Sequence, residues 1–440
     1  MDSAYEMMTS KARDIAKYIE QNDFCRIFSH NDGDGITSAS ILTEAFLRKG
    51  IKFQVSFIPK LDENIIEYHK ESFDEETPII FCDIGSSQWN VIKDLKNPII
   101  ILDHHKYKET PETEYFLNPE TYGISGSDHM CAACVAYLVA KEMSKENIDL
   151  SVLALVGIES DRQKMEHINA EILKDAEKSG EIEIRKGLRI GNGLLKDIFM
   201  TYTDPYLEIT GDEQKIDKFL KENGLDGKKA EDLNKSEMEK LTKLVVEELE
   251  QKNCTEGIKA VVGDTVLFKN HMIQNIHDFS YIINSCANYS DFGIAVSVCL
   301  NDKSVTNEAI NYFKKSQATV VKDMQTVKPL VKKMENINYV HAKDLHTAGE
   351  IASIHVRYIM PEKPFICMNE KDGSIRISGR GTHALVNDGL DLAEAFRISA
   401  DFVGGNGGGH KISAGTAIPI GKEKEFLTKM DEIVGKQIKN

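Results

Sequence analysis

No apolar run in the sequence approaches the ~20 residues needed to span a bilayer. The opening Met1-Asp2-Ser3-Ala4-Tyr5-Glu6 has neither the basic start nor the apolar stretch of a secretory leader. A cytoplasmic location is therefore expected. Cysteine is sparse: eight in 440 residues do not make a disulfide scaffold in a chain this long. Cys131-Ala132-Ala133-Cys134 has CxxC spacing, but no second close pair completes a zinc set. Its small-residue surroundings read as a packed helix. An excess of positive charge is also missing. The net charge of −16 excludes a protein that is basic over its whole surface. It leaves room for an enzyme in which local Lys and Arg, with bound divalent cations, hold phosphates.

What is present is an ordinary globular composition, 41% apolar and 28% charged, long enough for two or three domains. From residue 1 to about 205, short apolar strands alternate with amphipathic helices, as in parallel βαβ units. Thr37 to Arg48 reads as a helix, Lys52 to Ile58 as a strand and Gln88 to Leu95 as a short helix. Gly126 to Met143 reads as a long helix capped by Ser125 or Ser127. Residues 206–255 are charge-rich and helical in period, over Asp212 to Asn223 and Lys235 to Lys252, and predict a helical connector with a solvated face. A second α/β unit is expected over 256–440, with strands at Gly257 to Val262, Gly293 to Leu300, Pro364 to Met368 and Ser374 to Ser378. A glycine-rich tail follows from Gly404 to Lys411.

Three apolar runs end in metal-binding side chains. Phe24 to Ser29 runs into His30-Asn31-Asp32-Gly33-Asp34-Gly35, Pro78 to Cys82 into Asp83-Ile84-Gly85, and Asn97 to Leu102 into Asp103-His104-His105. Ligands of open α/β sheets bind beyond the carboxyl ends of the strands, so the three ends predict one shared metal site. Asp-Gly turns or helix caps account for each acid taken alone. Taken together, they do not. Alternate residues of an extended or looped segment point the same way, so His30, Asp32 and Asp34 can face one centre. A mixed His/Asp set suits Mn²⁺, or Mg²⁺. Adjacent His104 and His105 would point to opposite sides of an extended chain, one to a metal and one to substrate, with Asp103 orienting an imidazole. Asp161, closing Gly157-Ile158-Glu159-Ser160-Asp161, can add a terminal carboxylate.

In order and spacing these four segments resemble the motifs of the DHH phosphoesterase superfamily. Gly407-Gly408-Gly409-His410 is similar to the GGGH signature of its DHHA1 domain, and Gly187-Leu188-Arg189 to Thr203-Asp204-Pro205-Tyr206 to archaeal RecJ-like exonucleases. The resemblance implies an α/β fold. A DHH catalytic domain (1–205) with a parallel sheet flanked by helices precedes the connector (206–255) and a smaller DHHA1 substrate-binding domain (256–440), and the active site lies in an interdomain cleft. It implies two Mn²⁺ or Mg²⁺ ions: His30 and Asp32 hold one, Asp34, His104 and Asp161 the other, and Asp83 bridges. Such pairs sit ~3.5–4 Å apart. His105, Asp83 and Asp103 then act in catalysis, with His105 on the scissile phosphate. Ser378, Arg380, Gly407, Gly408, Gly409 and His410 bind substrate. Arg380 can fork a phosphate, and bare glycines let backbone amides approach one.

The implied activity is metal-dependent exonucleolysis of single-stranded DNA or RNA to nucleoside 5′-monophosphates. The alternatives are a phosphodiesterase for short oligonucleotides, pAp-like bisphosphates or cyclic dinucleotides, and a partner-binding component of a replication or repair complex. Expected partners are the single strand itself and a helicase, replication complex or second RecJ-like chain, with homo-oligomerisation open. One departure stands out: RecJ-like chains often carry Asn-Ala-x-Gly-Arg where this one reads Asn284-Ser285-Cys286-Ala287-Asn288. The arginine is replaced by Asn288, which implies weaker or compensated substrate binding.

Overall fold

A computed structural model describes residues 2–70, 73–371 and 373–438. Helix α1 (Asp2–Ile19) leads into strand β1 (Phe24–His30), helix α2 (Gly33–Lys49), strand β2 (Lys52–Ile58), helix α3 (Glu63–Lys70), strand β3 (Ile79–Cys82) and the single turn α4 (Trp89–Ile92). Strands β4 (Ile99–Leu102) and β5 (Tyr115–Leu117) follow, then helices α5 (Ala132–Met143), α6 (Ser151–Ser160) and α7 (Ile168–Ser179). Strand β6 (Ile182–Leu188) pairs with the later β7 (Val262–Phe268). Between those two strands run α8 (Leu195–Thr201), α9 (Glu213–Asn223), α10 (Lys235–Gln251) and α11 (Thr255–Val261). Helices α12 (Ile276–Asn288), α13 (Phe292–Cys299) and α14 (Thr306–Val327) precede strands β8 (Lys332–Lys333) and β9 (Asn338–Lys343). The chain finishes with α15 (Ala348–Ile354), β10 (Phe365–Lys371), β11 (Ser374–Arg380), α16 (His383–Asn387), α17 (Leu392–Phe402), β12 (Asn406–Gly409), β13 (Ser413–Ile418) and α18 (Glu423–Ile438).

Two compact units result. The first comprises Met1–Arg185 and Val266–Phe313. Its parallel sheet has the order β2-β1-β3-β4-β5. Strand β1 pairs with β2 on one side and β3 on the other, so the direction of winding reverses at β1. The carboxyl ends of β1 and β3 therefore flank a topological switch point, where open α/β sheets bind ligands. One sheet face buries Phe28, Ile79, Phe81, Ile99 and Ile101 with Ile66 of α3 and Ile92 of α4. Helix α6 is apolar all round and buried from Ser151 to Ile158, as a central helix must be. Helix α2 starts at Asp32, whose side chain accepts the Gly35 amide, and stops at Gly50 in the left-handed conformation (φ 74°).

The second unit comprises Lys186–Thr265 and Lys314–Asn440. Its mixed sheet runs β12-β13-β11-β10-β9-β8, parallel between β10 and β9 and otherwise antiparallel. Ile366, Met368, Ile375 and Ile377 from the sheet pack with Phe396 of α17 and Phe426 and Met430 of α18.

The elements and units depart from the sequence reading in four places. Gly293–Leu300 is largely helix α13, not a strand: Asp291 caps it by accepting the Ile294 amide, and Ala295, Val298 and Cys299 are buried at helical spacing. Gly257–Val261 belongs to helix α11, and strand β7 begins only at Val262. Helix α5 begins at Ala132 with Cys131 as its cap, because the segment from Gly126 is used instead to receive His104. The units also divide differently from 1–205, 206–255 and 256–440. Val266–Phe313 packs with the first unit, where Phe292 stacks on Phe57 at 5.0 Å, while residues 186–265, connector included, belong to the second.

Candidate metal centre

Asp83, the first residue after β3, adopts φ 60°, and Gly85 follows at φ 111°. Left-handed backbone is costly for most side chains and mildest for glycine, Asn and Asp. The turn drives the Asp83 carboxylate inward, where it is 1% exposed. Its two oxygens face different imidazoles: Oδ2 lies 3.3 Å from His30 Nδ1, and Oδ1 lies 3.1 Å from His104 Nε2.

Around His30, Asp32 brings Oδ2 to 2.8 Å from the imidazole Nδ1, while its Oδ1 accepts the Gly35 amide at 3.0 Å. A side chain at position 35 is excluded, since a Cβ there would sit 2.2 Å from the His30 carbonyl oxygen. Asp34 points away from this pair. Its Oδ2 accepts the Ala132 amide at 2.7 Å and its Oδ1 the Ala133 amide at 2.8 Å, both at the start of α5, where exposed N–H groups favour an anion.

His104 donates Nδ1–H to the Gly126 carbonyl at 2.7 Å. That bond fixes the ring's orientation and turns Nε2 toward Asp83, Asp161 Oδ2 at 3.6 Å and Asp34 Oδ2 at 3.7 Å; burial opposes charge on the ring, but the Asp83 carboxylate outweighs it and holds the imidazole well above its usual pKa. Asp161 arrives from the end of α6. His105 Nδ1 lies 2.8 Å from Asp103 Oδ1, and its side chain is 47% exposed. Asp103 is buried; it also accepts the amides of His104 (2.7 Å), His105 (3.2 Å) and Ser86 (2.9 Å). By bending the chain over its own carboxylate, Asp103 places the two imidazoles side by side, ring centres 4.4 Å apart. They do not point to opposite sides, as an extended chain would require.

Ligand-type atoms therefore converge in three overlapping groups: His30, Asp32 and Asp83; Asp34, His104 and Asp161; and Asp83, Asp103, His104 and His105. Burial and the Asp83 charge push the Asp34 carboxyl up to about 7; burial and Asp34 do the same to Asp161. Asp83 is raised by burial and by Asp32. Burial works against charged imidazoles here, yet the facing carboxylates outweigh it: His30 is raised to about 10 by Asp32 and Asp83, and His105 to about 8 by Asp103. Asp103, although buried, is held below the usual carboxylate range by His105. Carboxylates and imidazoles crowded at one point, held there by one another's charge, suit divalent cations.

Supporting contacts lie outside the motifs. Gln163 donates to the Gly126 carbonyl at 2.7 Å, beside the His104 bond, and approaches Asp161 Oδ2 at 3.4 Å. Asn118 donates to Ser86 Oγ (2.9 Å) and to the His105 carbonyl (3.0 Å). Spacing carries no signal for Gln163 or Gly126, whose role depends on chain segments meeting. A Cβ at position 126 would lie 1.9 Å from the His104 carbonyl oxygen. Gly126→Ala is thus expected to destabilise the first unit by about 1–3 kcal/mol through forced repacking, measured by urea denaturation in EDTA, and to weaken Mn²⁺ binding as His104 shifts.

The other candidate residues lie together in the sheet of the second unit. Ser378 is opposite Gly415, which is opposite Gly408, and Arg380 is opposite Ser413. His410 is exposed in the β12–β13 turn, exchanging backbone bonds with Ser413. The glycines form edge strand β12 rather than a loose loop. A Cβ at Gly407 would meet the Phe396 carbonyl at 2.8 Å and one at Gly409 the Ser413 carbonyl at 2.5 Å, whereas Gly408 is open. Asn288 is exposed at the last position of α12. Cys131 and Cys134 are buried, with sulfurs 3.8 Å apart, and burial pushes the Cys131 thiol well up, so the pair packs as inert core.

Across 436 residues the chain is 30% identical to an uncharacterised protein of Methanocaldococcus jannaschii, with 96% of each chain covered. Residues 25–158 match the DHH family, N-terminal domain, and residues 336–436 the DHHA1 domain. The chain belongs to the DHH family. Its RecJ-like fold is shared with RecJ from Thermus thermophilus in complex with Mn²⁺ (TM-score 0.62, 14% identity), over 98% of this chain and 55% of that one. This DHH chain thus spans about half the length of that RecJ. An exonuclease RecJ bound to manganese matches over 98% and 94% of the two chains (TM-score 0.61, 15% identity). CDC45 from Entamoeba histolytica matches over 98% and 99% (TM-score 0.63, 13% identity). As a DHH-superfamily member the chain is a phosphoesterase-type hydrolase with a cluster suited to divalent metal. Among the described residues, no helix is long and apolar enough to cross a membrane.

Proposed function

We propose that this DHH protein is a divalent-metal-dependent exonuclease that hydrolyses single-stranded DNA or RNA to nucleoside 5′-monophosphates. The observation that supports it most is the division of labour at Asp83, which offers one oxygen to the His30–Asp32 group and the other to the His104 group. On this reading His30, Asp32 and Asp83 would hold one cation, and Asp34, His104 and Asp161, with the other oxygen of Asp83, would hold a second. Mn²⁺ or Mg²⁺ ions, when bound, supply Lewis acidity toward a phosphodiester and acidify water. The chain itself supplies proton placement. Asp103 holds His105 Nδ1–H, so Nε2 faces outward, and the Asp103 carboxylate favours a proton on the imidazole for donation to a phosphate oxygen. Arg380, Ser378, the glycine strand and His410 take further substrate phosphates, Arg380 through paired N–H donors. Retention of the full ligand set favours catalysis over a purely scaffolding role.

The test is digestion of 5′- and 3′-labelled 20-mers of single-stranded DNA and RNA with Mn²⁺, Mg²⁺ or EDTA. Stepwise release of mononucleotides with either metal, and none in EDTA, is expected. Cleavage confined to di- and trinucleotides would assign the protein to short-oligonucleotide turnover instead, and metal-independent cleavage would remove the proposed centre.

A further inference from the structure

Helix α12 lies outside both matched segments, and although the sequence pattern assigns it to the second domain, it packs in the first unit. Its polar face is spent on the chain that carries the candidate ligands. Asn284 Oδ1 accepts the Gly33 amide at 3.1 Å, and Asn284 Nδ2 donates to the Ser280 carbonyl at 2.9 Å, which fixes the amide's orientation. Ser280 Oγ lies 2.9 Å from Ser160 Oγ, and His277 Nδ1 lies 2.6 Å from Glu159 Oε1. Gly33 separates Asp32 from Asp34, and Glu159-Ser160 immediately precedes Asp161. A Cβ at Gly33 would come within 2.4 Å of Ser160 Oγ and 2.9 Å of Asn284 Nδ2. The loop is thus closed between the end of α6 and the face of α12.

We infer that α12 is a positioning element of the metal centre and that Asn284 is its principal contact. By accepting the Gly33 amide, Asn284 holds the point at which Asp32 turns toward His30 and Asp34 turns toward α5. Ser280 and His277 hold the end of α6 that delivers Asp161. One helix therefore sets the spacing between the segments that carry both cation positions. The inference rests on the metal reading proposed above. Supporting groups one step removed from metal ligands commonly change affinity 10–100-fold.

The test uses the full chain with Asn284→Leu, which keeps the bulk and removes the acceptor, and Asn284→Asp, which keeps the accepting oxygen. Hydrogen exchange is followed in EDTA on peptides covering 30–37 and 157–163, and Mn²⁺ binding by calorimetry. Asn284→Leu is expected to speed exchange in the 30–37 peptide by about tenfold and to weaken Mn²⁺ binding by roughly tenfold. Asn284→Asp should keep exchange near wild type. Asn284→Ala replaces the leucine variant if that one does not fold. Unchanged exchange and affinity overturn the inference, as does a lower melting temperature with both peptides unaffected. Wild-type protein that fails to bind Mn²⁺ overturns the metal reading alone, because the exchange result in EDTA still decides whether α12 holds the loop.

Discussion

Asp83→Asn is expected to reduce divalent-metal-dependent hydrolysis by about 10³-fold, equivalent to about 4 kcal/mol of transition-state stabilisation, while leaving the protein folded. Asparagine is the informative replacement. Position 83 sits at φ 60°, which asparagine tolerates nearly as well as aspartate, whereas alanine there adds about 1–2 kcal/mol of backbone strain. Asp83→Ala therefore mixes lost charge with lost stability, and Asp83→Asn isolates the charge. Burial and Asp32 raise the Asp83 carboxyl in the metal-free protein, so removing its charge relieves repulsion. In EDTA the variant should melt no lower than wild type, and above it where Asp83 is ionised. In excess Mn²⁺ the order should reverse. Wild type gains about 2.7 kcal/mol from a site at a hundredfold excess over Kd, and the variant loses most of that gain. Thermal melts with and without Mn²⁺, beside rates on a labelled 20-mer, measure both effects. A variant with near wild-type turnover and an intact Mn²⁺ gain would remove Asp83 from the centre.

The ligand-bearing residues are legible in the sequence because strand ends are local. An apolar run followed by Asp or His needs no knowledge of partners, and β1, β3 and β4 are readable as runs. Grouping them requires only that successive parallel strands share one sheet edge. What the sequence hides is non-local. Gly293–Leu300 carries β-branched residues that suit a strand, but the Asp291 cap and burial of Ala295, Val298 and Cys299 decide for helix. Small residues carry the helical pattern of α5 back toward residue 126, whereas Gly126 is claimed by His104. Asn284 stands out in the sequence only for its missing neighbouring arginine. Its bond to Gly33 spans 251 positions of sequence, and no periodicity reports such a contact.

Mn²⁺ binding is expected to tighten by about a hundredfold between pH 5.5 and 7.5, while the metal-free protein loses stability over the same interval. Asp34 and Asp161 are each raised to about 7, above the ordinary 3.8. The folded state thus holds protons that the unfolded state has released. Their contribution is complete below about pH 4 and is lost as pH rises through 7. His30, raised to about 10, and His105, raised to about 8, add stability that is complete below 6.5 and fades as pH rises through those values. Asp32, lowered to about 2, and Asp103, also lowered, work in the opposite sense, but only as pH falls below the ordinary carboxylate range. The shifts at the metal centre that are active between pH 5.5 and 7.5 therefore favour the more acidic side in EDTA, while buried His271 and His355, each lowered to about 4, oppose them up to about pH 6.5. Metal reverses the sign, because it binds the deprotonated ligands and must displace those protons. Displacing one proton changes affinity tenfold per pH unit, which gives the hundredfold over two units. Melting curves in EDTA and in Mn²⁺ should diverge steadily with rising pH, with calorimetry reporting the proton released. A gap between the two curves that stays constant across this range would mean that the cations bind away from Asp34, Asp161 and the facing imidazoles.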